Sequence, residues 1–239
     1  METMLGSIHA VNDLDTLRER LERHDPSLAV FEPWRDSSLL FSMEEPQLRN
    51  SLYSCLAAGG RARSIRRVVL RNLPEPELAY ALKCLAKNPH ITQLHVTDDT
   101  KSHSIQASSV VDFLTRRRDL HGSGKGLQKL HISTKIEISS ECHVQDLART
   151  LALRSLQSVT LHILPRCPIR NPTICVDPIA KTLALLPKLK CLQLVLGYQY
   201  NPYGSPMMSV SSCNALLAKD FLKLRLTNCG LKPLYIVYS

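Results

Sequence analysis

The stretch Phe221-Leu-Lys-Leu-Arg-Leu-Thr227 places apolar residues at positions 221, 224 and 226, with polar residues among them. The same apolar-x-x-apolar-x-apolar pattern occurs six times, and successive occurrences begin 26 to 36 residues apart. The six are Ile65/Val68/Leu70, Ile91/Leu94/Val96, Leu127/Leu130/Ile132, Leu156/Val159/Leu161, Leu189/Leu192/Leu194 and Phe221/Leu224/Leu226. A unit that recurs at such a period is typical of a solenoid, in which each unit buries its apolar face against its neighbours. The pattern therefore predicts stacked units that share one long surface.

Each of the first five stretches is followed by a segment with helical periodicity. The predicted helices cover residues 76–88, 107–118, 144–152, 177–186 and 212–219. Within the strands, polar residues such as Gln93, His95 and Thr97 alternate with the apolar ones, and alternate residues of a strand face opposite ways. A doubly wound parallel sheet is covered on both faces, so its strands read as near-continuous apolar runs. The sequence therefore predicts an α/β fold, an open solenoid (horseshoe) of about six strand–helix units with one solvated sheet face.

The last unit resembles a known repeat family. Residues 221–231, FLKLRLTNCGL, are similar to the leucine-rich repeat consensus L-x-x-L-x-L-x-x-C/N-x-L in its ribonuclease-inhibitor-like form. The resemblance covers residues 61–231, about three quarters of the chain. Where the family has Asn or Cys, the other units carry Leu73, Asp99, Lys135, Leu164 and Gly197. The resemblance implies a degenerate leucine-rich repeat protein that serves as a protein-binding scaffold.

The two parts of the chain carry opposite charge. Residues 1–60 have 5 Lys or Arg against 10 Asp or Glu, whereas residues 61–239 have 25 against 11. Helices are predicted over residues 13–24 and after Pro46. We therefore expect residues 1–60 to form an acidic, mainly helical N-terminal cap and residues 61–239 to form the solenoid, with an incomplete last repeat. The apolar stretch 231–239 has no helix after it, so this uncapped C-terminal end is a candidate for self-association.

Composition restricts the environment in which the chain works. No run approaches the roughly 18 apolar residues of a membrane span, so we expect no membrane insertion. The beginning of the chain lacks the basic region of a signal peptide, and none of the eight cysteines stand two or three residues apart, the spacing typical of zinc pairs. Reduced thiols and a cytoplasmic or nuclear location are the expectation.

The solvated strand face carries the strongest functional signal, because its charged residues are basic. The candidate partner-binding residues are Arg67, Arg71, His95, Lys129, His131, His162, Lys223 and Arg225. A concave wall of one sign attracts ligands of opposite charge. This predicts a basic interaction scaffold that binds an acidic partner protein. The alternatives are a nucleic-acid-binding surface on the same face and the substrate-receptor subunit of a larger assembly such as a ubiquitin ligase.

Other candidate sites are weaker. Residues 122–126, GSGKG, lack the spacing of a phosphate loop and run from helix into strand. His95 and His131 occupy equivalent positions in successive units, but no third metal ligand accompanies them in the motif. No metal, cofactor or catalytic residue is predicted, and we expect a protein that is not an enzyme. The run Arg116-Arg117-Arg118 suits the C-terminal end of a helix and is expected to point outward.

Overall fold

The computed structural model describes residues 19–20, 23, 25, 28–31, 53–57, 63–99, 103–122, 126–166, 174–197 and 208–227. Within these ranges, eight strands form one sheet. They are β1 (Val30–Phe31), β2 (Arg67–Arg71), β3 (Gln93–Thr97), β4 (Ser104–Gln106), β5 (Lys129–Ile138), β6 (Ser158–Pro165), β7 (Cys191–Leu196) and β8 (Lys223–Thr227). The described ranges also contain the helices α1 (Glu75–Leu85), α2 (Ala107–His121), α3 (Glu141–Leu151), α4 (Asp177–Leu185) and α5 (Val210–Leu217). Residues 53–57 are also helical.

The strands follow one another across the sheet almost in chain order. The order is β1-β2-β3-β5-β6-β7-β8, every neighbouring pair is parallel, and β4 pairs with the second half of β5. Because parallel crossovers are right-handed and the order never reverses, the connecting helices lie on one face of the sheet. Each helix accordingly contacts the next, from α1 to α5. The predicted α/β class and open parallel sheet are confirmed.

The face toward the helices holds the core. Equivalent apolar residues of six strands lie in one register, each less than about a tenth exposed: Val68, Leu94, Leu130, Val159, Leu192 and Leu224. A fully buried side chain of this kind stabilises the fold by roughly 1.5–3 kcal/mol. Leu28, Phe31 and Leu56 belong to the same core cluster. These residues of the first sixty therefore pack with the sheet. The division of residues 1–60 from residues 61–239 as a separate cap stays a prediction.

Polar contacts join successive strand–helix units at both ends of the helices. At the N-terminal ends, Glu75 accepts a hydrogen bond from the backbone N–H of Gln106 at 3.0 Å, and Asp177 accepts one from Ser209 at 2.7 Å. At the C-terminal ends, Arg117 donates to the carbonyls of Asn88 and Ile91 at 2.7 and 2.9 Å. Helix ends leave backbone groups without partners, so these side chains stabilise the stack as well as the single helix.

Arg117 corrects one prediction. The run Arg116-Arg117-Arg118 was expected to point outward, and Arg116 and Arg118 do so, but Arg117 is only 3% exposed. The helix also continues to His121, three residues beyond its predicted end. Residues three and four apart share one face of a helix, so Arg117 lies on the same buried face as Phe113 and Leu114. Its carbonyl partners allow the guanidinium to enter the interior.

The structure adds elements that periodicity did not predict. The short strands β1 and β4 were missed. The strand expected over residues 127–133 corresponds to β5, which begins two residues later and ends five residues later, at Ile138. Ile132 and Lys135 of β5 pair with the adjacent residues Leu161 and His162 of β6, so β5 contains a bulge. The predicted helices at 13–24 and after Pro46 lie largely outside the described residues, as do the loop residues 123–125 and the C-terminal stretch 228–239.

Candidate binding surface

The sheet face opposite the helices is the candidate site, and we call it the polar face. Its side chains alternate with the buried core residues, as the burial of β3, β6 and β7 shows. It comprises Arg67, Val69 and Arg71 of β2; Gln93, His95 and Thr97 of β3; Lys129, His131, Ser133, Lys135 and Glu137 of β5; Ser158, Thr160, His162 and Leu164 of β6; Cys191, Gln193 and Val195 of β7; and Lys223, Arg225 and Thr227 of β8. All eight predicted residues lie on this face.

Four of the predicted residues come together at the β2 side. Arg67 pairs in register with Gln93, which pairs with Lys129, and His95 pairs with His131 in the next polar row. Neighbouring strands lie about 4.8 Å apart and residues advance about 3.3 Å along a strand, so these four backbone positions fall within roughly 12 Å of one another. We call Arg67, His95, Lys129 and His131 the β2–β5 cluster.

Lys223 and Arg225 stand apart from this cluster. Lys129 is followed across the sheet by Ser158, Cys191 and then Lys223. His131 is followed in the same way by Thr160, Gln193 and Arg225. Three strand spacings, about 14 Å, therefore separate Lys129 from the exposed β8 pair, Lys223 and Arg225. The positive charge forms two clusters with uncharged side chains between them.

The two central histidines stack. The ring centroids of His95 and His131 lie 5.3 Å apart with an interplanar angle of 27°. The pKa of His95 is lowered to about 4, first by burial and then, in decreasing order, by the nearby charges of Arg67, His131, Lys129 and Arg71. Burial and Arg67 lower the pKa of His131 as well. Both rings are therefore neutral at pH 7, because a proton there would lie in a desolvated and already positive position.

Arg71 and His162 have partners of their own. Arg71 lies 3.4 Å from the carboxylate of Asp99, which offsets its charge. His162 Nδ1 lies 3.3 Å from the Ser133 carbonyl. Burial lowers the pKa of His162, the Ser133 contact opposes that shift, and the charge of Lys135 adds to it. Neither residue is part of the β2–β5 cluster.

The polar face also carries an acid that the sequence reasoning did not place there. The side chain of Glu137 is 8% exposed, accepts hydrogen bonds from Ser104 and Gln106, and pairs with Arg166 at 2.6 Å. The expectation of a face without acids is therefore wrong at the carboxyl end of β5. The alternation in Lys135-Ile-Glu-Ile138 was the available signal, but the strand was expected to end at residue 133, before this segment.

Val69 is a second departure from a fully solvated face. It lies between Arg67 and Arg71 on the polar side of β2 and is only 2% exposed. Val69 is the neighbour of His95 in register, so the polar face is shielded from solvent at this position. This local covering agrees with the desolvation that lowers the pKa of that ring.

Several kinds of site are absent from the described part of the chain. Among residues whose placement is described, no three His, Cys, Asp or Glu side chains come close enough to hold a metal ion. The six cysteines described, Cys55, Cys84, Cys142, Cys175, Cys191 and Cys213, are all free thiols. Within the same ranges, no helix has the length and apolar character to cross a membrane.

The polar face has to be interpreted from its own chemistry. No family model matches the chain, and no curated protein is significantly similar to it in sequence. What the geometry provides is one open sheet face with two positive clusters, a stacked pair of neutral histidines and a row of uncharged polar side chains between the clusters.

Proposed function

We propose that this protein is a non-catalytic interaction scaffold of the leucine-rich repeat type, whose polar face is the concave wall of an open solenoid. An acidic segment of a partner protein binds across this wall. The observation that carries the proposal is the unbalanced charge of the face: no carboxylate of the described residues forms a salt bridge with Arg67, Lys129, Lys223 or Arg225. A face with an excess of positive charge attracts and orients an acidic partner.

The spacing of the two clusters specifies the partner further. A segment that crosses the strands meets Lys129 and then, about 14 Å later, the β8 pair. An extended peptide advances about 3.3–3.6 Å per residue. Acidic residues about four positions apart would therefore reach both clusters, while Ser158, Thr160 and Gln193 offer hydrogen bonds to the backbone between them.

Nucleic acid is the second candidate ligand, and the composition of the face favours protein. Binding of single strands usually adds aromatic side chains on which bases stack. The polar-face positions of the described strands carry no aromatic residue other than histidine. The free thiols of the described cysteines support a cytoplasmic or nuclear location for this interaction.

The test is a salt-titrated capture from nuclease-treated lysate with three proteins. They are the wild type, Lys129→Glu/Arg225→Glu, and the control Lys83→Glu/Arg116→Glu, which makes the same charge change at exposed positions of the helical side. We expect the wild type and the control to capture discrete proteins that the polar-face variant does not capture. Rising salt should release these proteins, because exposed charges are screened within about 8–10 Å. Equal capture by all three proteins, or capture that is insensitive to salt, would contradict the proposal.

A further inference from the structure

The β2–β5 cluster contains more positive character than one carboxylate can neutralise. Arg67 comes from β2, His95 from β3, and Lys129 and His131 from β5, so three strands fix the four side chains relative to one another. The charged and titratable groups close enough to lower the pKa of His95 are Arg67, Arg71, Lys129 and His131. Of the two arginines there, only Arg71 has a described carboxylate partner, Asp99. The remaining charge faces the polar side without a described counter-ion.

His95 adds a polar ring atom that is not used within the described residues. His95 Nε2 is buried and has no hydrogen-bond partner there. A buried polar group without a partner destabilises the fold, so a ligand that supplies one is favoured. An anion in the cluster would supply an acceptor oxygen and would also offset the charges that keep both rings neutral. Anion binding therefore favours protonation of the imidazole pair, and protonation in turn favours anion binding.

We propose that Arg67, His95, Lys129 and His131 form a binding site for a phosphate monoester, the phosphorylated side chain of a partner segment, and that the histidine pair takes up a proton when the phosphate binds. The proposal rests on the proposed function, because it gives the chemistry of one of the two contact points on the polar face. Lys223 and Arg225 remain the contact for an unmodified acidic residue about four positions away.

A phosphate monoester fits the cluster better than a carboxylate. It carries a charge of about −1.5 to −2 and three acceptor oxygens, whereas a carboxylate carries one charge and two oxygens. The guanidinium of Arg67 binds two oxygens side by side, and the ammonium of Lys129 acts as a point charge. The doubly charged group also offsets the proton taken up by the histidines. A phosphodiester of RNA or DNA brings only one charge per phosphate, so it lacks this advantage.

The test uses three labelled peptides that differ at one position, which is phosphoserine, glutamate or serine, each with glutamates four residues further on. Affinity is measured by fluorescence anisotropy between pH 7 and pH 8, where the phosphate is already mostly doubly charged. We expect the phosphoserine peptide to bind about tenfold or more tightly than the glutamate peptide. Its affinity should fall with rising pH by up to about tenfold per unit, the limit for uptake of one proton.

The protein variants assign the effect to the histidine pair. His95→Gln/His131→Gln should lose the pH dependence, and His162→Gln, on the same face outside the cluster, should retain it. If the double variant fails to fold, Arg67→Gln tests the same site through a residue that is exposed. NMR of the imidazole protons gives an independent reading, because inorganic phosphate should raise the pKa of His95 and His131 and leave that of His162 unchanged.

The outcomes separate this inference from the proposed function. The phosphate site is overturned if the phosphoserine and glutamate peptides bind with equal affinity, or if phosphate does not change the pKa of the two histidines. The scaffold proposal still stands in that case if Lys129→Glu/Arg225→Glu abolishes capture. Inorganic phosphate that binds as tightly as the phosphopeptide overturns the phosphorylated partner as its source. Equally tight binding of single-stranded RNA overturns the preference for a monoester.

Discussion

Replacement of Arg117 by alanine should destabilise the fold far more than the same change at its two neighbours. Arg117 lies near the C-terminal end of α2 and is 3% exposed, whereas Arg116 and Arg118 are exposed. Its two terminal nitrogens donate to the carbonyls of Asn88 and Ile91, in the connection between α1 and β3. One side chain thus joins two successive strand–helix units.

The size of the effect follows from these contacts. Hydrogen bonds from a charged donor contribute about 1.5–3 kcal/mol each, so the two bonds of Arg117 amount to roughly 3–6 kcal/mol. Desolvation of the guanidinium opposes them, which is also why burial lowers the pKa of Arg117 to about 10. A net loss of about 2–4 kcal/mol is expected for Arg117→Ala. Arg117→Lys should fall in between, because one ammonium group lacks the planar fork that reaches both carbonyls.

Urea denaturation monitored by circular dichroism measures the free energy of unfolding of these variants. Arg116→Ala is the matched control, and we expect it to stay within about 0.5 kcal/mol of the wild type. If Arg117→Ala were no more destabilising than this control, the guanidinium would not be the link between the units. The outward orientation predicted from the sequence would then be the correct one.

Three further predictions concern buried polar groups. The pKa of His95 in the folded state is about 4, below its usual 6.5. As the pH drops, the unfolded chain therefore takes up the proton first, and the stability of the fold decreases between pH 6.5 and pH 4. Screening at this half-buried position limits the loss to about 1–2 kcal/mol, and His95→Gln should flatten the pH profile of the urea midpoint. Asn88→Ala should lower the free energy of unfolding in urea by about 2–3 kcal/mol. Asn88 donates a hydrogen bond to the Leu56 carbonyl and accepts one from the His90 N–H, both at 2.9 Å. The control Asn214→Ala, at an exposed position, should have little effect. Glu137→Ala should speed amide hydrogen exchange in residues 104–106, because the side chains of Ser104 and Gln106 lose their acceptor. The control Glu141→Ala, at an exposed position, should leave this exchange unchanged. Unchanged exchange in Glu137→Ala as well would contradict the role of Glu137 in holding residues 104–106.

The regular part of the fold could be predicted from local patterns. The apolar positions of β3, β6 and β7 and the helical faces of α1 and α4 lie where their periodicity placed them. The alternation of polar and apolar residues also assigned Arg67, Lys129 and Arg225 to the face away from the core. These features follow from the two-residue period of a strand and the 3.6-residue period of a helix, which the sequence carries directly.

Irregular features had no such signal. The short strand β4 pairs with the second half of β5, which follows the bulge between Ile132 and Lys135. The burial of Glu137 depends on Ser104, Gln106 and Arg166, which approach it from other segments. Contacts between distant segments leave no mark on local periodicity, so these two features could not be read from the chain alone.

The sequence by itself determined the order of the six repeated strands and of the helices between them, the side of each of these strands that enters the core and the excess of positive charge on the other side. Each of these depends on residues close together in the chain. Only the tertiary structure decided that His95 stacks on His131, that Arg117 is buried, and that the positive charge divides into two clusters about 14 Å apart. These depend on which strands are neighbours and in which register, and the free energy that sets the register comes from packing across the whole sheet.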